Sequence, residues 1–169
     1  MGKESEQYVQ PPKRWWKVLL IILLALVLLG VYAYYQLFPK QVYVHEDLPK
    51  NITEVTPKII RALLYEIGAN NLHKNPITRD KPELCIVVDN KEYFVMADKN
   101  IEVLESPCKG IDLTLVTTAT EVIDSVASDN IKARFRDSVA NAKTVIVTNA
   151  SQTDLAAKGY ISLYNSIAG

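Results

Sequence analysis

A chain of 169 residues, 49% of them hydrophobic, has room for one ordinary domain with accessory segments. Its 19 basic and 19 acidic residues cancel, so there is no basic field of the kind that holds nucleic acid. The charge is unevenly spread: Lys3, Lys13, Arg14 and Lys17 outweigh Glu4 and Glu6 at the start, and the remainder is mildly acidic.

Residues 1–14, MGKESEQYVQPPKR, are polar with paired prolines and read as a short cytoplasmic tail. Met1-Gly2 does not open a myristoylation signal, because Glu6 stands where Ser or Thr is required. Residues 15–38 read as a transmembrane helix. Between Lys17 and Lys40 lie 22 residues without a charge, VLLIILLALVLLGVYAYYQLFP. At about 1.5 Å per residue, twenty of them cover the roughly 30 Å hydrocarbon core of a bilayer. Trp15 and Trp16 stand at one edge, and Tyr32, Tyr34, Tyr35 and Phe38 at the other, where amphipathic rings meet the headgroups. Pro39 ends the helix, since it lacks an amide hydrogen. The excess of basic residues before the span orients the N-terminus to the cytoplasm and the rest of the chain outward. The competing reading is a cleavable signal peptide, with Val31-Tyr32-Ala33 at the cleavage position. The length of the apolar run and its aromatic far end favour the anchor.

Residues 39–56 form a stalk, extended in part through QVYVHEDLP. Thr56-Pro57 is a helix start: a capping hydroxyl followed by proline at the first helical position. Ile59, Ile60, Leu63, Leu64 and Ile67 follow at helical spacing, with Gly68 as the stop. After a polar link, ELCIVVDNKEYFVMADKNIEVLE gives two strands joined at Asp89-Asn90 and a third beyond Asp98-Lys99-Asn100. The turn Ser106 to Gly110 leads to IDLTLVTT, whose alternation puts Ile111, Leu113 and Leu115 on one face and Asp112 and Thr114 on the other. Helices follow over about Thr120 to Ala127 and after Asp129-Asn130, the second with Ile131, Phe135 and Val139 on one stripe. KTVIVTN is a fifth strand, and Ser151 caps a closing helix with Leu155, Tyr160, Leu163 and Ile167. Four short-looped strands in a row predict an antiparallel sheet of about five strands covered by helices, an α+β domain over residues 57–169.

Chemistry is sparse. His45 and His73 have no ligand partner at metal spacing, and neither a serine triad nor a Gly-rich phosphate loop occurs. No cofactor is implied, and nothing positive indicates an enzyme. Asn51-Ile52-Thr53 and Asn149-Ala150-Ser151 are glycosylation acceptors on the exported side. Cys85 and Cys108 can pair there across 22 intervening residues; alternatively Cys85, within LCIVV, is a small buried hydrophobe. Lys132, Arg134 and Arg136 read as a solvated helix face, with an anionic-headgroup contact as the alternative.

The order IDLTLVTTATEVIDSV, IKARFRDSVANA, KTVIVTNA and DLAAKGYISLY resembles the sterol carrier (non-specific lipid-transfer) family, in which such a strand leads into two helices, a last strand and a C-terminal helix. The resemblance spans residues 57–169 and departs from the family in lacking glycines around the last strand. It implies an apolar tunnel between sheet and helices, with Phe94, Met96, Val122, Val126, Phe135, Leu155 and Leu163 as its wall. At such spacing the same residues equally fill an ordinary core.

Two functions from different classes follow. The first is a non-catalytic accessory or adaptor in a membrane or envelope assembly, docking on a membrane protein partner through an apolar patch such as Tyr160 and Tyr164. The second is a membrane-tethered module that binds a lipid or other hydrophobic ligand. Base rates for single-span proteins favour the adaptor.

Overall fold

A computed structural model describes residues 15–37, 52–98 and 100–168. The tail 1–14, most of the stalk, His45, Asn51, Lys99 and Phe38 lie outside the described residues.

The chain divides into two units, residues 1–38 and 39–169. The first contains helix α1, Trp15–Leu37. Its segment Trp15–Tyr34, 20 residues with a mean hydropathy of 2.5 in its most apolar 18-residue window, is long and apolar enough to cross a membrane.

The second unit is an α+β domain. Helix α2, Pro57–Glu66, starts as its sequence dictates: the Thr56 hydroxyl accepts from the Ile59 N–H, and Pro57 occupies the first turn. One stripe of α2, including Ile59, Ile60, Leu63 and Leu64, is buried. Gly68, at φ 95°, ends this segment in the left-handed conformation that glycine tolerates best. Ile52 and Val55 already pack with the core, so the end of the predicted stalk belongs to the folded unit.

Five strands form one mixed sheet: β1 Glu83–Val88, β2 Lys91–Ala97, β3 Ile101–Glu105, β4 Leu113–Thr117 and β5 Val145–Thr148. Their order is β3-β2-β1-β4-β5. The first three make the expected meander. β4 does not extend it antiparallel to β3. It pairs parallel with β1, Leu84 opposite Leu113 and Val88 opposite Thr117. The predicted antiparallel sheet is therefore corrected to a mixed one. The connection from β1 to β4, which parallel neighbours require to be long, runs through the β2–β3 hairpin. The segment from Ser106 to Asp112 then carries the chain back past β1. Cys108 in that segment is joined to Cys85 of β1, with a Cα–Cα distance of 5.8 Å.

Helices α3 (Ala119–Ala127) and α4 (Ile131–Ala140) begin at Thr118 and Asn130, whose side chains cap Glu121 N–H and Ala133 N–H. With α2 and α6 they contribute the helical part of one core, in which Leu84, Ile86, Tyr93, Val95, Leu113 and Leu115 represent the sheet. The predicted closing helix is two helices, α5 Gln152–Ala157 and α6 Tyr160–Ala168. The break lies at Gly159, where φ is 85° and an added Cβ would come within 2.8 Å of the Asn71 carbonyl oxygen. Close backbone approach, which the helical pattern does not register, imposes the break.

Candidate functional site

The end of the β4–β5 pair and the two closing helices border an open cleft of about 330 Å³. Leu113 and Thr148, opposite each other in the β4–β5 register, form its floor. Beyond Thr148 the chain turns at Asn149 and Ala150, whose N–H groups both donate to the Asp112 carbonyl, at 2.8 and 3.1 Å. Ser151 starts α5, its hydroxyl accepting from the Asp154 N–H at 3.2 Å. That turn brings Ala150, Gln152 and Leu155 to one wall, and the kink at Gly159 brings Tyr160, Ile161 and Tyr164 to the other. Ile161 and Tyr164 are half exposed at the mouth, whereas Leu113 and Tyr160 are buried.

A buried polar group lies at the Tyr160 end. Asp112 accepts from Lys158 Nζ at 2.7 and 3.0 Å, from the Glu83 N–H at 2.9 Å, and has the Tyr160 hydroxyl at 3.0 Å. The same hydroxyl lies 3.1 Å from the Glu83 carbonyl. Burial first, and then the adjacent Asp112 charge, push the Tyr160 phenol far above the ordinary tyrosine range, so it stays protonated and donates. Lys158 also lines a polar cleft, with Arg79, Asp80, Lys81, Glu83 and Gly110. The buried Asp112–Lys158 pair thus touches the polar cleft through Lys158 and the apolar one only by way of the Tyr160 hydroxyl.

Asp112 corrects the alternating-strand reading. β4 begins only at Leu113, and Asp112 is buried at 6% exposure because its carboxylate accepts from three groups, the Glu83 N–H of β1, the Tyr160 hydroxyl of α6 and Lys158 Nζ at the kink. Nothing local in IDLTLVTT signals this; its partner Lys158 is 46 residues away. Tyr160, expected on an exposed patch with Tyr164, is 1% exposed.

The residues expected to wall a tunnel separate into three groups. Phe94 and Met96 lie on the face of β2 opposite to Tyr93, Val95 and Ala97, which belong to the core. They point away from the helices, because successive side chains of a strand alternate. Val122, Val126, Phe135 and Leu163 are buried in the core cluster. Leu155 is the member of the set that lines the cleft. Leu113, Tyr160 and Ile161 were legible as apolar positions, but only the kink identifies them as lining.

The other candidates disperse. Asn149 is exposed and its side-chain amide donates to the Thr114 hydroxyl at 3.0 Å. Arg134 pairs with Glu121 at 3.1 Å and Asp124 at 3.4 Å, and Arg136 donates to the Ser166 carbonyl at 3.0 Å. The helix face that carries them is therefore engaged within the fold. Cys85, Glu92 and Cys108 bring their ligand atoms within 4.8 Å of one another. The two sulfurs are bonded together, and Glu92 accepts from the Cys108 N–H at 2.7 Å.

No family model and no curated protein matches the chain. Among solved structures it is similar to UbiJ-SCP2, a ubiquinone synthesis protein, at 9% identity and a TM-score of 0.35, over 83% of this chain and 95% of that one. It is also similar to the palmitated SCP2L2 from Aedes aegypti, at 16% identity and a TM-score of 0.39, over 66% and 96% of the two chains. A double mutant of the sec-alkyl sulfatase PisA1 aligns at 11% identity and a TM-score of 0.37, over 68% of this chain and 17% of its own. Two of the three carry the sterol carrier designation that the element order resembles; at these TM-scores none bears on what this chain binds.

Proposed function

We propose that this chain is a membrane-tethered module that binds one lipid-like apolar ligand in the cleft between the β4–β5 end and helices α5 and α6. The carrying observation is the cleft itself. Five of its eight lining side chains, Leu113, Ala150, Leu155, Ile161 and Tyr160, offer mainly apolar surface, and Tyr164 adds a half-exposed ring at the mouth. A concave apolar site with a few polar groups is the usual form of a small-molecule site. Helix α1 supports the tether, being long enough to span a bilayer. In this reading the basic residues before α1 keep the N-terminus cytoplasmic and the domain outside, where an oxidising environment suits the Cys85–Cys108 bond and Asn149 is exposed to glycosylation.

Native mass spectrometry of the full chain released from phosphatidylcholine nanodiscs that also carry single-chain fatty alcohols and fatty acids tests the binding. One retained lipid per chain is expected, lost in Ala150→Phe, which fills the cleft, and in Ile161→Glu, which charges its mouth. Unchanged lipid retention in both folded variants would remove the cleft from the account.

The adaptor reading has one observation in its favour. Leu104, Val116, Val145 and Val147 are exposed on the sheet face away from the helices, an apolar surface suited to a protein partner. Crosslinking of the full chain in its membrane through Val145 and Val147 positions separates the two: a discrete protein adduct there favours the adaptor.

A further inference from the structure

We infer that the cleft takes an uncharged, single-chain amphiphile, such as a long-chain alcohol, and discriminates against the matching carboxylate. The inference rests on the lipid-binding reading above and adds the class of headgroup. No side chain lining the cleft carries a charge: its polar members are Thr148, Gln152, Tyr164 and Tyr160, the hydroxyl of the last already held by Asp112 and the Glu83 carbonyl. A hydroxyl and an amide can both donate to and accept from an alcohol. A carboxylate offers only acceptors and needs a cation or several donors once it leaves water.

The cation closest in sequence to the lining tyrosine is already committed. Lys158 Nζ lies 2.7 and 3.0 Å from the two oxygens of Asp112 and is buried with it. Swinging the ammonium toward a ligand would leave Asp112 buried beside a protonated Tyr160 without its counter-ion, a costly arrangement. The remaining acid on α5, Asp154, accepts from the Ser151 hydroxyl at 2.7 Å and would repel an anion near the start of the helix. The volume adds a second limit. At about 330 Å³ the cleft is at the small end of ligand sites, which suits one alkyl chain rather than the two of a phospholipid.

The test uses the full chain in phosphatidylcholine nanodiscs at pH 9, with a 16-carbon alcohol and the 16-carbon acid bearing the same photoreactive diazirine. Labelled peptides are quantified by mass spectrometry. Peptides of α5 and α6 are expected to take at least about tenfold more alcohol than acid, the least that excluding an unpaired carboxylate should give. Gln152→Lys places an ammonium at an exposed lining position without touching the core, and should bring that ratio close to one. Equal labelling by alcohol and acid in the unaltered chain would overturn the headgroup inference while leaving lipid binding intact. A ratio unmoved by Gln152→Lys would overturn it as well. Absence of both labels from α5 and α6 would remove the lipid-binding reading, and this inference with it.

Discussion

Lys158 Nζ meets both carboxylate oxygens of Asp112, at 2.7 and 3.0 Å, across 46 residues of chain and with both side chains buried. The contact joins the start of β4 to the kink between α5 and α6, and so fixes the elements that form the cleft. A buried pair of this kind adds little net stability relative to apolar residues of the same volume, because both charges lose their hydration. Removing one partner is another matter. Lys158→Met should lower the unfolding free energy by about 3–5 kcal/mol, since Asp112 is left buried and uncompensated. Asp112→Asn in the same chain should recover part of that loss, because the amide can still accept from the Glu83 N–H. Chemical denaturation of the two single variants and the double variant gives the coupling directly. Strictly additive effects would mean that the two residues do not act as a pair.

Gly159 is the second fixed point of the kink. Its φ of 85° and the 2.8 Å approach of an added Cβ to the Asn71 carbonyl both oppose a side chain. Gly159→Ala should therefore cost more than the ~1 kcal/mol typical of a glycine made alanine at a strained φ, by denaturation of the full chain in micelles. An unchanged midpoint would show that the kink does not need its glycine.

Loss of the covalent link between β1 and the segment before β4 has a calculable consequence. The cysteines are 23 positions apart. Chain entropy for a loop of that size gives about 3 kcal/mol, so Cys85→Ser with Cys108→Ser should lower the unfolding free energy by about 2–4 kcal/mol. Denaturation of the oxidised chain against this double variant measures it.

Glu121 sets an acid-side dependence. Burial alone pushes its carboxyl up, but hydrogen bonds from Lys143 and Ser138, with the Arg134 charge, outweigh burial and hold it below the usual glutamate range. A depressed folded-state value means that the contribution is complete above the unfolded value, near 4.5, and is lost as pH falls through the folded one. Unfolding free energy should thus decline on acidification below that point, and Glu121→Gln should flatten the decline. Equal pH slopes for the two chains would contradict the assignment.

The sequence carried the local decisions well and the distant ones poorly. Thr56, Asn130 and Ser151 announce helix starts because a cap involves neighbours two or three residues away. Gly68 is equally local. Which face of β2 turns inward was not legible: Tyr93, Phe94, Val95, Met96 and Ala97 are apolar on both faces, so alternation could not choose between them. The parallel placement of β4 beside β1 was hidden for a related reason, since short loops favour a hairpin and the pattern within IDLTLVTT suits either partner. Asp112 reads as a solvent-facing residue until Lys158 and Tyr160 are brought to it by the kink, and the kink depends on the Asn71 carbonyl. Of the residues expected to wall a tunnel, Leu155 lines the cleft, whereas Val122, Val126, Phe135 and Leu163 lie in the core and Phe94 and Met96 on the opposite sheet face.

The central claim is that a ligand chain occupies the space between Leu113, Leu155 and Tyr164. Residues 52–168 contain no tryptophan, and replacing Trp15 and Trp16 by Phe frees the chain of its own indoles. Tyr164→Trp in that background places a single fluorophore at the mouth of the cleft. Titration with a brominated long-chain alcohol should quench it saturably at one equivalent per chain, and Ala150→Phe should abolish the saturable part. Quenching that rises in proportion to total bromolipid, with no saturation and no effect of Ala150→Phe, would contradict occupancy of the cleft.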